Sequence, residues 1–315
     1  MTSERTASTW SQFSTRAVRA VARRSFHFAK AHYKSGLPDP ITTNPVIVYT
    51  VGKVGSTSVA ATLEEILEGR DVAHVHWLTS EHLQADEAYY KGRARAYWGR
   101  SQMTRFMPRY VWLGQQLGDA VRSAPAGTIW DVVTLVRDPV VRNVSSFFQD
   151  LELMFDFWPK RELTTRSVDD VAARLVPMYL ESYVTSERAL KQTGDPLTWF
   201  DFELKPMFGV DVFATSFPAS QGYEIYGGPN SRVLLLRLED LGRVGPKAIG
   251  KFFHTNAAQM TQRNDASDKI YADVYRRFKQ LLKLPSEYLD RMYASRYCQH
   301  FYTPEELASF RARWG

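Results

Sequence analysis

The first segment that could do chemistry is a glycine-containing loop at residues 52–58. It follows the apolar run 46–51, which is typical of a buried parallel strand, and it precedes a helical pattern. Glycine lets a backbone approach a phosphate closely, and the free amide groups at a helix start point toward the anion. We therefore expect an anion site here, with a plain strand–helix connection as the alternative. The residues of this loop are Gly52, Lys53, Val54, Gly55, Ser56, Thr57 and Ser58.

A second anion signature begins at Arg137, directly after the buried apolar run 131–136. Ser145 lies two helical turns further on, near the same helix face as Arg142. An arginine fork with a hydroxyl suits a terminal phosphate, which presents several acceptors at fixed angles. The alternative is an ordinary helix start, in which Asp138 is the cap and Arg142 makes a surface ion pair.

Strands and helices alternate along the chain, which predicts an α/β fold with a parallel sheet covered on both faces. Besides the two runs above, strands are expected at 71–77 and 233–238, and the pattern from 268 onward is helical with breaks near Pro285 and Pro304. Open sheets of this kind bind ligands at the carboxyl ends of their strands, so Arg137 is expected beside the first loop.

The composition is that of a globular protein, with 44% hydrophobic and 23% charged residues in 315. No uncharged apolar run is long enough for a membrane-spanning helix. The single cysteine, Cys298, excludes an intrachain disulfide and every zinc site that needs two or more thiolates.

The net charge of +6 lies entirely in the first 36 residues, where seven basic side chains stand against one acidic side chain. The rest of the chain is neutral, so nucleic-acid binding by the folded body is not expected. Basic and aromatic residues recur at helical spacing between residues 10 and 34, which favours peripheral membrane contact, a transit peptide or a helix packed on the domain. We expect an arm and linker at 1–40, a domain at 41–315, and a cytoplasmic protein, peripheral to the membrane if the arm binds lipid.

Together, the two anion signatures resemble those of the sulfotransferases that use 3′-phosphoadenosine-5′-phosphosulfate (PAPS). In that family a Pro-Lys-Ser-Gly-Thr-Thr-like loop holds the 5′-phosphosulfate, and an Arg-Asp-Pro-x-x-Arg-x-x-Ser segment holds the 3′-phosphate through its first arginine and last serine. Residues 137–145 match the second signature at every defined position, whereas Gly52 and Val54 replace proline and serine in the first. The run 237–241 is similar to the family's Arg-Tyr-Glu-Asp-Leu strand end.

Two further stretches, 199–226 and 271–302, resemble a bacterial branch of this family described as capsular polysaccharide synthesis proteins. The resemblance implies a P-loop-like parallel sheet flanked by helices, with a helical C-terminal region. It also implies PAPS as co-substrate, bound by the loop at its 5′ end and by Arg137 and Ser145 at its 3′-phosphate. The acceptor it implies is a hydroxyl, on a carbohydrate or a surface polysaccharide precursor.

Sulfuryl transfer builds negative charge on the bridging oxygen that departs, and Lys53 is the residue expected to stabilise it, without a compulsory metal. The acceptor hydroxyl must also lose a proton, and carbohydrate sulfotransferases often carry a histidine or glutamate in the region of residues 71–77. Strand alternation places His74 and His76 on one face there. His76 is nearer the strand end and is the first choice as base, with His74 second. Both could equally be satisfied core histidines.

Two other functions compete with sulfuryl transfer. A nucleotide-dependent kinase uses the same type of fold, but the loop lacks Walker A spacing because Ile47 occupies the place of the first glycine. A non-catalytic protein that binds anionic glycans is the other alternative, and the neutral body disfavours it.

Overall fold

A computed structural model of the chain describes residues 44–88, 109–154, 157, 159–185, 196–255, 259–261 and 271–315. The expected arm at 1–40 lies outside these residues, so the interpretations of 10–34 and the division at residue 40 stay predictions. The described part has an α/β architecture built on one mostly parallel sheet.

The sheet has five strands in the order β2-β1-β3-β5-β4. Strands β2, β1, β3 and β5 run parallel, and β4 pairs antiparallel with β5 at the edge. The strands are β1 (Val46–Tyr49), β2 (Val72–Val75), β3 (Trp130–Val136), β4 (Tyr223–Gly227) and β5 (Ser231–Arg237).

Both faces of the central sheet are covered, as the apolar runs predicted. Every residue of β1 and β3 is buried, and successive side chains of a strand point to opposite faces. The predicted strands are confirmed in position, but the one expected at 71–77 is shorter, because pairing ends at Val75. The chain leaves the sheet there to reach the segment at 78–88.

The sheet is parallel as predicted except at one edge. The short strand β4 was missed, and it pairs antiparallel with β5 through the tight connection 228–230. Antiparallel strands can be joined by so few residues, whereas parallel strands need a crossover of a dozen or more.

The helices begin and end close to the local signals. Helix α3 starts at Pro139, and the breaks expected near Pro285 and Pro304 coincide with the starts of α9 and α11. The helices are α1 (Ser56–Ile66), α2 (Arg109–Ser123), α3 (Pro139–Met154), α4 (Pro159–Glu162), α5 (Val168–Tyr179), α6 (Lys205–Phe208), α7 (Leu241–Phe253), α8 (Ala272–Leu281), α9 (Ser286–Tyr293), α10 (Arg296–Phe301) and α11 (Pro304–Trp314). Residues 80–88 are also helical, π-helical turns lie at Leu180–Thr185 and Phe200–Leu204, and a 3₁₀ turn lies at Leu238–Asp240.

The strand order reverses between β1 and β3. From β1 the chain crosses to β2 on one side, and it later enters β3 on the other side, in register at Ile47 with Val132. Such a switch point leaves a crevice at the carboxyl ends of the two strands, where open α/β sheets bind ligands. The loop 52–58 and Arg137 follow these two strands directly.

The helical C-terminal region is attached to the sheet through Arg237, the last residue of β5. Its buried guanidinium donates to the carbonyl of Phe301 at 3.0 Å and to both carboxylate oxygens of Glu306. Arg237 therefore anchors α10 and α11. Within the described residues, none of the helices has the length and apolar character that a membrane span requires.

Candidate active site

The loop after β1 has an unusual backbone. Lys53 and Gly55 both have positive φ angles, 72° and 86°, and α1 begins immediately afterwards at Ser56. Only glycine adopts this region without strain, so Gly55 fits its position and Lys53 is held there against its preference. Left-handed residues next to a helix start turn several amide groups toward one concave side, which is the geometry of an anion nest.

The two arginines of the second signature both contact this loop. Arg137 donates from Nη1 to the carbonyl of Lys53 at 2.8 Å, and Arg142 donates from Nε to the carbonyl of Gly52 at 2.9 Å. Within the described residues Arg142 forms no ion pair, so the alternative of a surface ion pair finds no support there. The helix-cap alternative holds for Asp138, whose carboxylate accepts the amide of Val140 at 2.9 Å. Residues 137–142 therefore cap α3 through Asp138 and also donate hydrogen bonds to the loop through Arg137 and Arg142.

The backbone of Arg137 is fixed by hydrogen bonds to Tyr297 of the C-terminal helix α10. The hydroxyl of Tyr297 accepts the amide of Arg137 and donates to its carbonyl, both at 3.0 Å. The next amide, that of Asp138, donates to Glu239 at 2.8 Å. Burial raises the pKa of both Asp138 and Glu239, because neither carboxylate is well solvated there. Arg137 is therefore fixed by its backbone, and its guanidinium is aimed at the loop.

Replacing Tyr297 by phenylalanine should destabilise the fold by about 1–3 kcal/mol, because the N–H and C=O of Arg137 lose the phenol that binds both. Urea unfolding monitored by circular dichroism measures the change. Tyr179→Phe is the matched control, since Tyr179 is equally buried but its hydroxyl contacts only weakly, 3.5 Å from that of Tyr288. Equal losses for the two variants would contradict this role of Tyr297.

The two histidines lie together at the end of β2. Their rings meet edge to face at 5.2 Å, as strand alternation predicted. The His74 Nε2 atom is 2.8 Å from the hydroxyl of Ser56, and the His76 Nδ1 atom is 2.7 Å from the carbonyl of Thr50. A Cβ built on Gly52 would lie 3.9 Å from His76 Nε2, so this nitrogen faces the loop.

The environment keeps both imidazoles neutral. Burial and the neighbouring His76 lower the pKa of His74 to about 3. The pKa of His76 is lowered by burial, with Arg142 and Lys53 adding to the effect. Because a carbonyl oxygen can only accept, the bond to Thr50 places the proton of neutral His76 on Nδ1. Nε2 is then the basic nitrogen, on the side of the loop.

The remaining predicted residues are less tightly grouped. Lys53 extends to α3, where Nζ donates to Gln149 at 2.6 Å. Ser56 is buried against His74, Val54 is buried in the core, and Thr57 is exposed. Ser145 is half-buried on α3, and within the described residues no hydrogen bond joins it to the loop. Sequence reasoning missed Gln149, which no local signal marks.

Sequence reasoning also missed Glu203, the completely buried carboxylate behind the histidines. It accepts hydrogen bonds from Tyr49 and from the amides of Leu78 and Thr79, and it lies 2.5 Å from His82 Nδ1. The carboxylate raises the pKa of His82. A burial signal could have found it, since a glutamate within the aromatic run 199–204 has apolar neighbours on both sides in the sequence.

Part of the chain matches a known protein family. The NKWYS family, described as "putative capsular polysaccharide synthesis protein", matches residues 187–303. This match contains the stretches 199–226 and 271–302 and confirms that they resemble proteins of this description; it does not test the resemblance to sulfotransferases. It covers less than half of the chain and does not include the loop 52–58 or residues 137–145. No curated protein and no solved structure matches the sequence.

Proposed function

We propose that this protein is a PAPS-dependent sulfotransferase with a P-loop-like donor site, and that it sulfates a hydroxyl group of a carbohydrate or surface polysaccharide precursor. One observation carries the proposal: the two anion signatures are hydrogen-bonded to each other at the strand switch point, through Arg137 with Lys53 and Arg142 with Gly52. Two anion subsites in one crevice suit a donor with charge at both its 5′ and 3′ positions.

The reaction assigns a role to each group. The bond between sulfur and the bridging oxygen of the donor breaks, while the acceptor oxygen forms a new bond to sulfur. Lys53 and the loop amides stabilise the charge that develops on the departing oxygen. His76 Nε2 takes the proton of the acceptor hydroxyl, which releases the sulfated product and adenosine 3′,5′-bisphosphate.

Two observations support a carbohydrate acceptor. The family that matches residues 187–303 carries a polysaccharide synthesis description. In addition, burial keeps His76 neutral and its Nε2 faces the loop, which suits it to accept the proton of an acceptor hydroxyl.

Calorimetric titration with adenosine 3′,5′-bisphosphate, in parallel with ATP and Mg²⁺, tests the proposal. We expect a clear preference for the bisphosphate. Binding of ATP with Mg²⁺ in preference would favour a kinase, and binding of neither nucleotide would exclude both nucleotide-dependent enzymes. Binding of an anionic glycan without any nucleotide effect would favour the non-catalytic alternative.

Substitutions at Lys53 should separate its strain from its charge. Lys53→Ala and Lys53→Gly both remove the ammonium group, so both should weaken binding of the bisphosphate. Only glycine relieves the positive φ of 72°, so the Gly variant should be more stable than the Ala variant by about 1 kcal/mol. Chemical denaturation and calorimetry on the pair measure the two effects. Unchanged binding in both variants would contradict a role for Lys53 at the donor.

A further inference from the structure

We infer that Glu203 and Trp199 are positioning residues, which hold His76 in one orientation and one tautomer from beneath the candidate active site. The role of His76 as base rests on the proposed function, but its positioning does not. Both residues come from the short segment 199–204, whereas His76 follows β2 more than 120 residues earlier in the chain.

Glu203 holds the chain just after His76. Its side chain is 0% exposed, and it accepts the amides of Leu78 at 2.8 Å and Thr79 at 3.2 Å. The hydroxyl of Thr79 also donates to it, and His82 Nδ1 lies 2.5 Å away. A fully buried carboxylate persists only when such donors satisfy its oxygens, so it strongly constrains the backbone that supplies them.

Glu203 also positions Thr50, whose carbonyl is the hydrogen-bond partner of His76 Nδ1. The hydroxyl of Tyr49 donates to Glu203, and the next residue is Thr50, whose carbonyl accepts the His76 Nδ1–H. The ends of β1 and β2 are therefore tied to the same carboxylate. Moving either end would change the 2.7 Å distance between Nδ1 and the Thr50 carbonyl, which selects the tautomer.

Trp199 fixes the backbone of His76 itself. Its indole Nε1 donates to the His76 carbonyl at 3.0 Å, and its ring packs edge to face on Tyr49 at 4.7 Å. Trp199 is 2% exposed and lies four residues before Glu203, at the start of the π-helical turn Phe200–Leu204. The two side chains thus approach the same strand ends from one helical turn.

Substituting Trp199 or Glu203 would destabilise the protein even if their role were purely structural, so the free energy of unfolding does not distinguish a positioning role from a structural one. The tautomer of His76 does distinguish them, because it depends on the geometry at Nδ1. Trp199→Phe keeps an aromatic ring and removes the indole donor, and Glu203→Gln keeps the shape and removes the charge. Glu306→Gln is the matched control, since Glu306 is likewise ion-paired, with Arg237, but contacts neither His76 nor Thr50.

The experiment is a long-range ¹H–¹⁵N spectrum of the full chain labelled with ¹⁵N-histidine, with His76 assigned by its loss in His76→Gln. We expect the wild-type protein and Glu306→Gln to show only the Nδ1–H tautomer at neutral pH. In Trp199→Phe and Glu203→Gln the Nε2–H tautomer should appear. Turnover should fall by up to about 100-fold in both, while affinity for adenosine 3′,5′-bisphosphate changes less than twofold.

A wild-type tautomer in folded Trp199→Phe would overturn the inference, and this milder variant decides if Glu203→Gln fails to fold. The spectrum needs neither donor nor acceptor, so it is independent of the proposed function. A changed tautomer in a protein that ignores the bisphosphate would keep the positioning role and reject the sulfotransferase. An unchanged tautomer in variants of a protein that binds the bisphosphate would reject the positioning role and leave the proposed sulfotransferase supported.

Discussion

Arg137→Ala should weaken binding of adenosine 3′,5′-bisphosphate by about 2–5 kcal/mol, the usual effect of removing one partner of a desolvated charge pair. The guanidinium is half-buried and uses Nη1 on the carbonyl of Lys53, which leaves further donors of the fork for a phosphate. Calorimetry with the bisphosphate measures the loss. Arg137→Lys should recover only part of it, since an ammonium keeps the charge but not the fork.

Arg142→Ala is the matched control for Arg137. It removes a bond of the same kind, from a guanidinium to the neighbouring carbonyl of Gly52, so it perturbs the loop in a similar way. Its effect on affinity should be the smaller of the two. A loss of only about 0–1 kcal/mol for Arg137→Ala would indicate a side chain that merely supports the loop.

His76→Ala should lower turnover by about 10²–10⁴-fold, the contribution of a positioned general base, while leaving affinity for the bisphosphate nearly intact. Turnover is measured with labelled donor and a carbohydrate acceptor once one is found. His74→Ala should have a smaller effect, because His74 Nε2 is already hydrogen-bonded to the hydroxyl of Ser56. Unchanged turnover in His76→Ala would exclude this residue as the base.

The pH dependence follows from the direction of the shift. Burial lowers the pKa of His76 below its ordinary value of 6.5, so the imidazole stays neutral as the pH falls through that value. The rate should therefore hold at mildly acidic pH and decline only below the lowered pKa. A decline that begins above pH 6.5 would indicate that a different group is the base.

Local patterns predicted much of the fold. The continuous apolar runs before residues 52 and 137 are buried strands, and the prolines at 139, 285 and 304 mark helix starts. The edge strand β4 was not predictable in this way. It is only partly buried, and pairing with β5 defines it more than its own five residues do.

The contacts that complete the candidate site join distant parts of the chain. Arg137 and the loop carbonyl it binds are 84 residues apart, and Tyr297 reaches Arg137 across 160. Tyr49 and Glu203 are 154 residues apart. No local pattern can report such pairs, because each partner would satisfy the same hydrophobic periodicity in many other packings.

The sequence by itself determined the four parallel strands, the helix starts and the two segments suited to anions, since these depend on residues that are neighbours along the chain. Only the tertiary structure decided that Arg142 donates to the loop, that Glu203 is completely buried, and that His76 turns Nε2 toward Gly52. The physical reason is that burial and hydrogen-bond partners are properties of the packed molecule, and packing brings together residues that the chain keeps far apart.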